Sequence, residues 1–377
     1  MDGILLITDI FPPDIGGPAT FIDQLGHRLA RDGQTVTVVC TSEQSHVPTD
    51  HERPFRVRRI LRRPPSLRQS LLVRAALAQE IARHQWVFTN GLEYPTFQMC
   101  SLLRRKYVLK VVGDSAWETA RNTGLTQLSI DEFQATPAQG QPWENLARKR
   151  TLFAQHARKV ITPSDYLRWM VVGWGVAPER VVTVHNGIRL YEFAPYQPRR
   201  REGRALNIVF VGRLASWKGV DTLLNAIVGL PDVRVTVVGE GPEMPSLRAL
   251  ARNLELEQAV TFVGQQARRA VQAYVADAHV LVLVSSYEGL SHTLLEACAM
   301  GVPCIASDRG GNPEVIQHGV NGLLVPYNDV PRLRAALAQL QADEEFRYRL
   351  ACMAKETSYR FDFETTVRET SRIVLPI

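Results

Sequence analysis

Two cationic side chains follow a predicted strand in the second half of the chain. The apolar run at residues 207–211 predicts the strand, Gly212 and Arg213 come directly after it, and Lys218 lies five residues beyond Arg213. Glycine at a strand end lets another group approach the backbone closely. Arginine can bind two phosphate oxygens at once, whereas lysine acts as a mobile point charge. The pair predicts a site for a diphosphate leaving group, and the alternative is two surface cations flanking an ordinary turn.

A second polar group follows the predicted strand at residues 280–284. Glu288 lies in the loop after this strand, and Glu296 is predicted about one turn inside the next helix. A loop carboxylate can accept hydrogen bonds from sugar hydroxyls, and a carboxylate deeper in the helix can hold a ribose diol. The N-terminus of a helix favours anions. The residues expected to contact a ligand here are Gly289, Leu290, Ser291 and Thr293. The first three are expected to do so through N–H groups that point out of the helix. Two glutamates eight residues apart also occur by chance.

A third feature is the glycine pair that follows the first predicted strand. Gly16 and Gly17 can form a flexible loop whose amides cover a phosphate. The loop does not have the spacing of the dinucleotide fingerprint G-x-G-x-x-G, which argues against a dinucleotide cofactor and a dehydrogenase. A plain turn between strand and helix is the alternative.

Short apolar runs alternate with helical segments along the whole chain. In the first half the predicted strands are residues 4–8, 35–40, 86–89, 107–112, 160–162 and 181–184. In the second half they are residues 207–211, 234–238, 260–263, 280–284, 303–306 and 323–325. This alternation is typical of parallel sheets with crossover helices. A polar stretch at residues 195–203 separates the two series.

The fold class that follows is α/β, with two Rossmann-like, doubly wound parallel-sheet domains facing across a cleft. We expect the first domain to cover residues 1–188 and the second residues 189–360. The predicted last helix, at residues 363–373, follows a complete second alternation, so we expect residues 361–377 to return to the first domain. Ligands bind such sheets beyond the carboxyl ends of the strands, where the three polar groups lie.

Composition excludes several classes of protein. Of 377 residues 45% are hydrophobic, which is enough for two buried cores and argues against disorder. No run approaches the roughly 18 apolar residues of a spanning helix, and the N-terminal apolar run lacks the features of a signal peptide. The five scattered cysteines indicate buried thiols rather than disulfides or a zinc site: Cys40, Cys100, Cys298, Cys304 and Cys352. We therefore expect a cytoplasmic location, with room for peripheral contact at the inner membrane face.

The net charge of +6 is unevenly distributed. Seven arginines lie in one short segment: Arg53, Arg56, Arg58, Arg59, Arg62, Arg63 and Arg68. Such a patch suits an anionic partner, and peripheral contact with an anionic membrane is our expectation. Nucleic-acid binding would rest on charge alone, so no nucleic acid is expected. A solvated strand edge with surplus charge is the alternative.

Together these features resemble the retaining family-4 glycosyltransferases of the GT-B fold. The resemblance runs over most of the chain, through Gly16-Gly17, residues 160–164, residues 185–188, residues 212–218, residues 238–242, Glu288 with Glu296, residues 301–303 and residues 310–314. Each segment is common by itself, whereas the ordered set is specific.

The resemblance implies a role for each matching position. Arg213 and Lys218 would bind the donor diphosphate, Glu288 the donor sugar and Glu296 the ribose, while Gly17 would offer its amide to the distal phosphate. Further donor contacts would come from Gly16 and Gly212, and Gly239, Glu240 and Val263 would border the base. The favoured donor is UDP-glucose, and no metal or other cofactor is needed for transfer. No D-x-D triplet occurs in the sequence, and two cations can replace a divalent ion electrostatically.

One segment departs from the family pattern. Many relatives carry a histidine after the strand equivalent to residues 107–112, and here the sequence continues with Gly113 and Asp114 instead. Asp114 is therefore a candidate catalytic residue that orients acceptor or donor, and Trp117 and Glu118 are candidates for the acceptor site. A helix cap is the alternative for Asp114.

The resulting interpretation is a retaining hexosyltransferase that acts on a saccharide or lipid-linked saccharide acceptor in polysaccharide or glycolipid synthesis. One rival is a sugar-nucleotide epimerase of the same fold, which would act without an acceptor. A second rival is a binding protein without turnover. The intact set of Arg213, Lys218, Glu288 and Glu296 argues against a decayed site.

Overall fold

The computed structural model describes residues 3–14, 16–64, 66–200 and 205–375, and it divides the chain into two compact units. The first unit runs to Val184 and includes the residues from Glu364 onward. The second unit is His185–Phe363. The end of the chain therefore belongs to the same unit as its beginning.

The first unit contains a parallel sheet with the order β3-β2-β1-β4-β5-β6-β7. Its strands are β1 (Ile4–Thr8), β2 (Val36–Ser42), β3 (Arg56–Leu61), β4 (Trp86–Asn90), β5 (Val108–Lys110), β6 (Lys159–Thr162) and β7 (Val181–Thr183). Every residue of β1 and β2 is buried, as expected of parallel strands covered on both faces.

The helices between these strands begin at recognisable signals. They are α1 (Gly17–Arg31), α2 (Leu67–Arg83), α3 (Glu93–Leu102), α4 (Ser115–Asn122), α5 (Ile130–Ala135), α6 (Glu144–His156) and α7 (Asp165–Gly173). Side chains cap the first turns of α2, α4, α5 and α7: Ser66, Asp114, Ser129 and Ser164. Such caps bind amides that have no partner inside the helix.

The second unit has a parallel sheet with the order β10-β9-β8-β11-β12-β13. Its strands are β8 (Leu206–Val211), β9 (Val233–Val238), β10 (Val260–Gly264), β11 (Val280–Leu283), β12 (Cys304–Ser307) and β13 (Gly322–Val325). Its helices are α8 (Leu190–Phe193), α9 (Val220–Ile227), α10 (Met244–Asn253), α11 (Arg268–Asp277), α12 (His292–Ala299), α13 (Asn312–Val315), α14 (Val330–Ala342) and α15 (Glu344–Ser358). The last helix, α16 (Phe363–Val374), lies in the first unit from Glu364 onward.

The predicted doubly wound architecture is confirmed, and β3 is the strand that the sequence did not predict. Its sequence RVRRIL mixes three arginines with three apolar residues, because it lies at the edge of the sheet beside β2. Parallel edge strands lose the continuous apolar run by which central strands are predicted.

The arginines around β3 are held by acidic side chains of the same unit. The ion pairs join Arg53 to Asp23 and Asp50, Arg56 and Arg58 to Glu80, Arg59 to Asp50, and Arg62 to Asp14. Much of the predicted basic patch is thus neutralised within the fold. Among the described residues, no helix combines the length and the apolar character needed to cross a bilayer.

Candidate active site

The strand order of the second sheet reverses between β8 and β11. Strands are added outward from β8 through β9 and β10, and from β11 through β12 and β13. Loops that leave two such strands diverge and open a crevice at the carboxyl edge, where open α/β sheets bind their ligands. Residues 212–219 follow β8 and residues 284–291 follow β11, so both predicted polar groups lie at this switch point.

Backbone contacts join these two loops. The Ser286 N–H donates a hydrogen bond to the Trp217 carbonyl at 2.8 Å. Gly219 has φ +69°, and a Cβ atom there would lie 2.3 Å from the carbonyl oxygen of Val284. Only glycine allows this approach, which holds the short 3₁₀ turn Ser216–Lys218 against the loop after β11.

Lys218 and Glu288 form an ion pair inside this crevice. The Lys218 ammonium donates a hydrogen bond to Glu288 Oε1 at 2.7 Å, and the Ser285 hydroxyl donates to the same oxygen at 2.7 Å. The two charged side chains are 18% and 13% exposed, so both still reach solvent. Sequence reasoning gave the residues separate ligands, whereas the structure pairs them with each other.

A second pair of glycines supports the Glu288 loop from behind. Gly310 has φ +61°, and a Cβ atom there would lie 2.4 Å from the carbonyl oxygen of Glu288. A Cβ atom on Gly311 would lie 2.3 Å from the carbonyl oxygen of Gly289, and the Gly311 N–H donates to the Glu288 carbonyl at 2.9 Å. The backbone of residues 288–289 is therefore fixed by residues that follow β12.

Arg213 is exposed at the start of the β8 loop. In the part of the chain that the structure describes, its guanidinium makes no ion pair. The neighbouring backbone is fixed, because the Gly212 N–H donates to the Val238 carbonyl at 3.0 Å and the Leu214 N–H donates to the Glu240 carbonyl at 2.9 Å. A rigid backbone thus carries a side chain that is open to an anion.

The loop after β9 packs directly on the β8 loop. Gly239 has φ +130°, and a Cβ atom there would lie 2.0 Å from the carbonyl oxygen of Gly212. The Glu240 carboxylate accepts a long hydrogen bond from the Gln265 N–H at 3.4 Å. Val263 is half-buried in β10, where the register with β9 is irregular. These residues form one side of the crevice, where the sequence placed a nucleotide base.

Helix α12 begins at His292. Ser291 is the N-cap, and its hydroxyl accepts the Leu294 N–H at 3.3 Å. Gly289 and Leu290 precede the helix, so their N–H groups do not form its first turn. The predicted ligand-contacting N–H groups therefore belong to the loop before the helix and to its N-cap, and their contact with a ligand stays a prediction.

Glu296 lies in the second turn of α12 and belongs to a charged cluster. Arg268 contacts Glu296 Oε1 at 3.2 Å and Glu192 at 2.8 Å, and Glu192 also pairs with Arg189 at 2.6 Å. Burial raises the pKa of Glu296. The side chain keeps 21% of its surface exposed, so a hydroxyl ligand can still reach it.

Two family descriptions match adjoining parts of the chain. Residues 15–192 match the family described as Glycosyltransferase Family 4, and residues 197–357 match the family described as Glycosyl transferases group 1. The chain belongs to the family-4 glycosyltransferases.

Curated relatives match this glycosyltransferase over part or all of its length. The N-acetyl-alpha-D-glucosaminyl L-malate synthase of Bacillus anthracis is 35% identical over 155 residues, and the match spans only 40% of each chain. The D-inositol 3-phosphate glycosyltransferase of Kribbella flavida is 26% identical over 388 aligned positions, covering 95% of this chain and 90% of that protein. One relative is named a synthase and the other a glycosyltransferase, and neither is named an epimerase. The epimerase alternative is therefore not favoured.

Solved structures confirm the GT-B fold. HepE from Anabaena, solved in complex with UDP and glucose, superposes with a TM-score of 0.78 and covers 100% of both chains. Sequence identity to HepE is 19%, so this similarity concerns the fold.

In the first unit of the glycosyltransferase, the two predicted glycines lie at the start of α1. Gly16 is the N-cap and Gly17 is the first helical residue. The amide of Gly17 therefore belongs to the open N-terminal turn of a helix of 15 residues that follows β1. This is the local geometry that anion contact requires.

Asp114 is a structural residue, which corrects its candidacy as a catalytic one. Its side chain is fully buried, and Oδ1 accepts the N–H groups of Ala116 and Trp117 at 2.9 and 3.2 Å. Oδ2 accepts the Gln134 amide at 2.7 Å and the Arg150 guanidinium at 2.6 Å. The helix-cap alternative is confirmed, because four partners occupy both carboxylate oxygens.

Trp117 is likewise unsuited to the predicted acceptor contact. Its side chain is 1% exposed, and its indole N–H donates to the Leu128 carbonyl at 3.0 Å. The ring is a core residue of the first unit. These contacts of Trp117 do not bear on Glu118, so the role of Glu118 at the acceptor site stays a prediction.

Sequence reasoning missed two groups of residues near the switch points. In the second unit, His185 Nε2 lies 3.1 Å from Glu314 Oε2, and the Asn186 amide donates to the Leu290 carbonyl at 3.4 Å. His185 and Asn186 belong to the segments that carry the family resemblance, which gave them no role. The His-Asn-Gly triplet directly after a predicted strand is the sequence signal that could have identified them.

The second missed group lies at the switch point of the first sheet, after β1 and β4. The Leu92 N–H donates to Asp9 Oδ1 at 3.0 Å. Burial and the neighbouring Asp9 raise the pKa of Glu93 to about 7. Neither carboxylate stood out in the sequence, because nothing in the spacing of residues 9 and 93 indicates that they meet.

Across the four described ranges, no group of three or more His, Cys, Asp and Glu side chains is arranged as a metal site.

Proposed function

We propose that this glycosyltransferase moves a hexosyl unit from a nucleotide-diphosphate sugar to a saccharide or lipid-linked saccharide acceptor, with retention of configuration. UDP-glucose is the favoured donor, and polysaccharide or glycolipid synthesis is the favoured setting. The observation that carries the proposal is the Lys218–Glu288 pair at the switch point of the second sheet, beside the exposed Arg213. A diphosphate carries enough negative charge to bind both Arg213 and Lys218 at once.

Donor binding is expected to rearrange this ion pair. The diphosphate competes with Glu288 for Lys218, because it carries more charge than one carboxylate and can contact Arg213 as well. Glu288 is then free to accept hydrogen bonds from the hydroxyls of the transferred sugar. In this proposal Glu296, in the second turn of α12, accepts the ribose hydroxyls.

The chemical step follows from where charge develops. The bond between the anomeric carbon and the distal phosphate oxygen breaks, and the acceptor oxygen bonds to that carbon on the same face. The acceptor proton passes to the departing phosphate. Negative charge grows on the diphosphate, so catalysis consists mainly of stabilising it with Arg213, Lys218 and the first-turn amides of α12. We propose that these groups act without a metal ion.

A thermal-shift screen over nucleoside diphosphates and their sugars tests the donor assignment. A ligand that binds only the folded state at 100 times its Kd stabilises the protein by about 2.7 kcal/mol. We expect UDP and UDP-glucose to raise Tm more than the guanosine and adenosine analogues do, and Arg213→Ala with Lys218→Ala to abolish the shift. A larger shift with a nucleotide of another base would overturn the assignment of UDP as the donor nucleotide. If none of the nucleotides shifts Tm, the transferase proposal itself is overturned.

We also propose peripheral contact with an anionic membrane, through the start of α2 rather than through the whole segment from Arg53 to Arg68. The strand arginines are paired internally, whereas Arg63 and Arg68 are exposed. Beside them Leu67, Leu71 and Leu72 are 78%, 57% and 50% exposed. Exposed leucines next to arginines suit insertion at an anionic lipid interface.

Sedimentation with vesicles that contain anionic lipid tests this surface. The double variant Leu71→Ser with Leu72→Ser is expected to lose at least about tenfold in partitioning, because each leucine contributes roughly 1.5 kcal/mol or more when buried. Binding should also fall steeply with salt. Met353→Ser, at an exposed position of α15, is the control. Equal binding of the double variant and the control would refute the α2 surface.

A further inference from the structure

Lys110 carries a buried ammonium group without a hydrogen-bonding partner. The residue is 2% exposed, and within the described residues its Nζ atom makes no hydrogen bond or ion pair. The ammonium lies 4.4 Å from the ring centroid of Phe21. Burial lowers the pKa of Lys110 to about 8. A buried charge without a counter-ion is costly, and such groups are usually paired or serve a function.

The position of Lys110 points to the start of α1. It is the last residue of β5, so it lies at the carboxyl edge of the first sheet. Phe21 belongs to the second turn of α1, and helical side chains lean toward the N-terminus of their helix. This direction brings the Phe21 ring, and with it the ammonium 4.4 Å from the ring centroid, toward the first turn of α1.

The first turn of α1 is itself electropositive. It has no side-chain cap and no acidic residue, and Pro18 contributes no N–H group. Its amides at Gly17 and Ala19 are therefore not bound by a capping side chain. Two uncompensated positive features thus occur together at the ligand-binding edge of the sheet.

We propose that Lys110 and the first turn of α1 form a binding site for a phosphate group in the first unit. The phosphate accepts hydrogen bonds from the helix amides and supplies the counter-charge for the ammonium. This phosphate belongs either to the nucleotide donor or to a phosphorylated acceptor. The resemblance to the family assigns Gly17 to phosphate but gives Lys110 no role. The site does not depend on which base the donor carries.

Lys110→Met tests the site, because it keeps the length of the side chain and removes the charge. We expect titration calorimetry at pH 7 to show at least a tenfold loss of affinity for inorganic phosphate. Without ligand, the variant should melt at the same temperature as the wild type or higher, since a buried charge has been removed. Lys106→Met, at an exposed position just before β5, should change neither property. A lower Tm with unchanged phosphate affinity would show that Lys110 only supports Phe21, and it would overturn the site.

The unmodified protein provides a second test that does not depend on how a variant folds. Only the protonated amine attracts phosphate, so affinity should fall at least tenfold as the pH rises from 7.5 to 9.5, through the pKa of Lys110 at about 8. Inorganic phosphate becomes more completely the dianion over this range, so its own titration would strengthen binding and cannot produce the expected loss. A constant affinity across the window would overturn the proposal.

Nucleotides distinguish the two sources of the phosphate. If the group belongs to the donor, UDP will block phosphate binding and Lys110→Met will weaken UDP more than UMP. If it belongs to the acceptor, phosphate will bind UDP-saturated protein with unchanged affinity and still require Lys110. Phosphate binding that requires Lys218 but not Lys110 would place the anion in the second unit and overturn the proposal, while leaving the transferase function intact.

Discussion

Replacing Lys218 with alanine is expected to lower kcat roughly 100-fold or more. The ammonium stabilises charge that appears on the diphosphate only as the glycosidic bond breaks, and loss of one such contact typically costs 10²–10³ in rate. Its partner Glu288 keeps the hydrogen bond from Ser285, and both charged side chains are partly exposed, so the fold should tolerate the change. Initial rates at saturating donor and acceptor measure the effect.

The matched variants separate charge from position. Lys218→Arg keeps a cation near the diphosphate and should retain more activity than the alanine variant. Lys106→Ala removes an exposed lysine of the first unit and should leave kcat unchanged. Near-normal turnover of Lys218→Ala, with its folding verified by circular dichroism, would refute the role of Lys218.

Replacing Asp114 with alanine is expected to lower the free energy of unfolding by about 3–5 kcal/mol. Arg150 is 10% exposed and would lose its counter-ion, and removal of one partner from a buried ion pair has a cost of this size. The first turn of α4 would lose its cap at the same time, at a further cost of about 1 kcal/mol. Urea denaturation followed by circular dichroism measures the loss, with the transition of the first unit as the readout.

An exposed ion pair of the same residue types provides the control. Arg28 and Asp32 lie four residues apart at the end of α1 with side chains 32% and 44% exposed, so Asp32→Ala should cost less than about 1 kcal/mol. A stable Asp114→Ala variant that had lost all turnover would contradict the structural assignment. It would restore Asp114 as a residue that acts on the acceptor.

The central strands were predictable because their physical signal is strong and local. Residues 4–8 form β1 as predicted, and the six predicted strands of the second half all occur with ends shifted by at most one residue. Strands that are buried on both faces must be continuously apolar, and this pattern can be read from a single sequence.

Elements that lack this signal were missed or misinterpreted. Strand β3 carries three arginines at a sheet edge, so its sequence resembles a charged loop. The arginines of β3 and the nearby Arg53 looked like a free basic patch, because their partners Asp23, Asp50 and Glu80 are distant in sequence or lie in another element. Composition shows that charge is present, and only the fold shows how it is neutralised.

The candidate site was predicted by residue type but not by contact. Strand ends placed Arg213, Lys218 and Glu288 at one edge of the second sheet, and the switch point brings them together there. The ion pair between Lys218 and Glu288 joins residues 70 positions apart, and sequence spacing carries no information about such a contact. Ser291 is the N-cap of α12, so Glu296 lies in the second turn of the helix, close to its predicted place about one turn inside.

A crystal structure with a bound nucleoside diphosphate tests the central claim most directly. We expect the diphosphate oxygens to lie within hydrogen-bonding distance of Lys218 Nζ and the Arg213 guanidinium, with the 2.7 Å contact between Lys218 and Glu288 broken. A diphosphate bound far from both cations, with this ion pair intact, would contradict the claim.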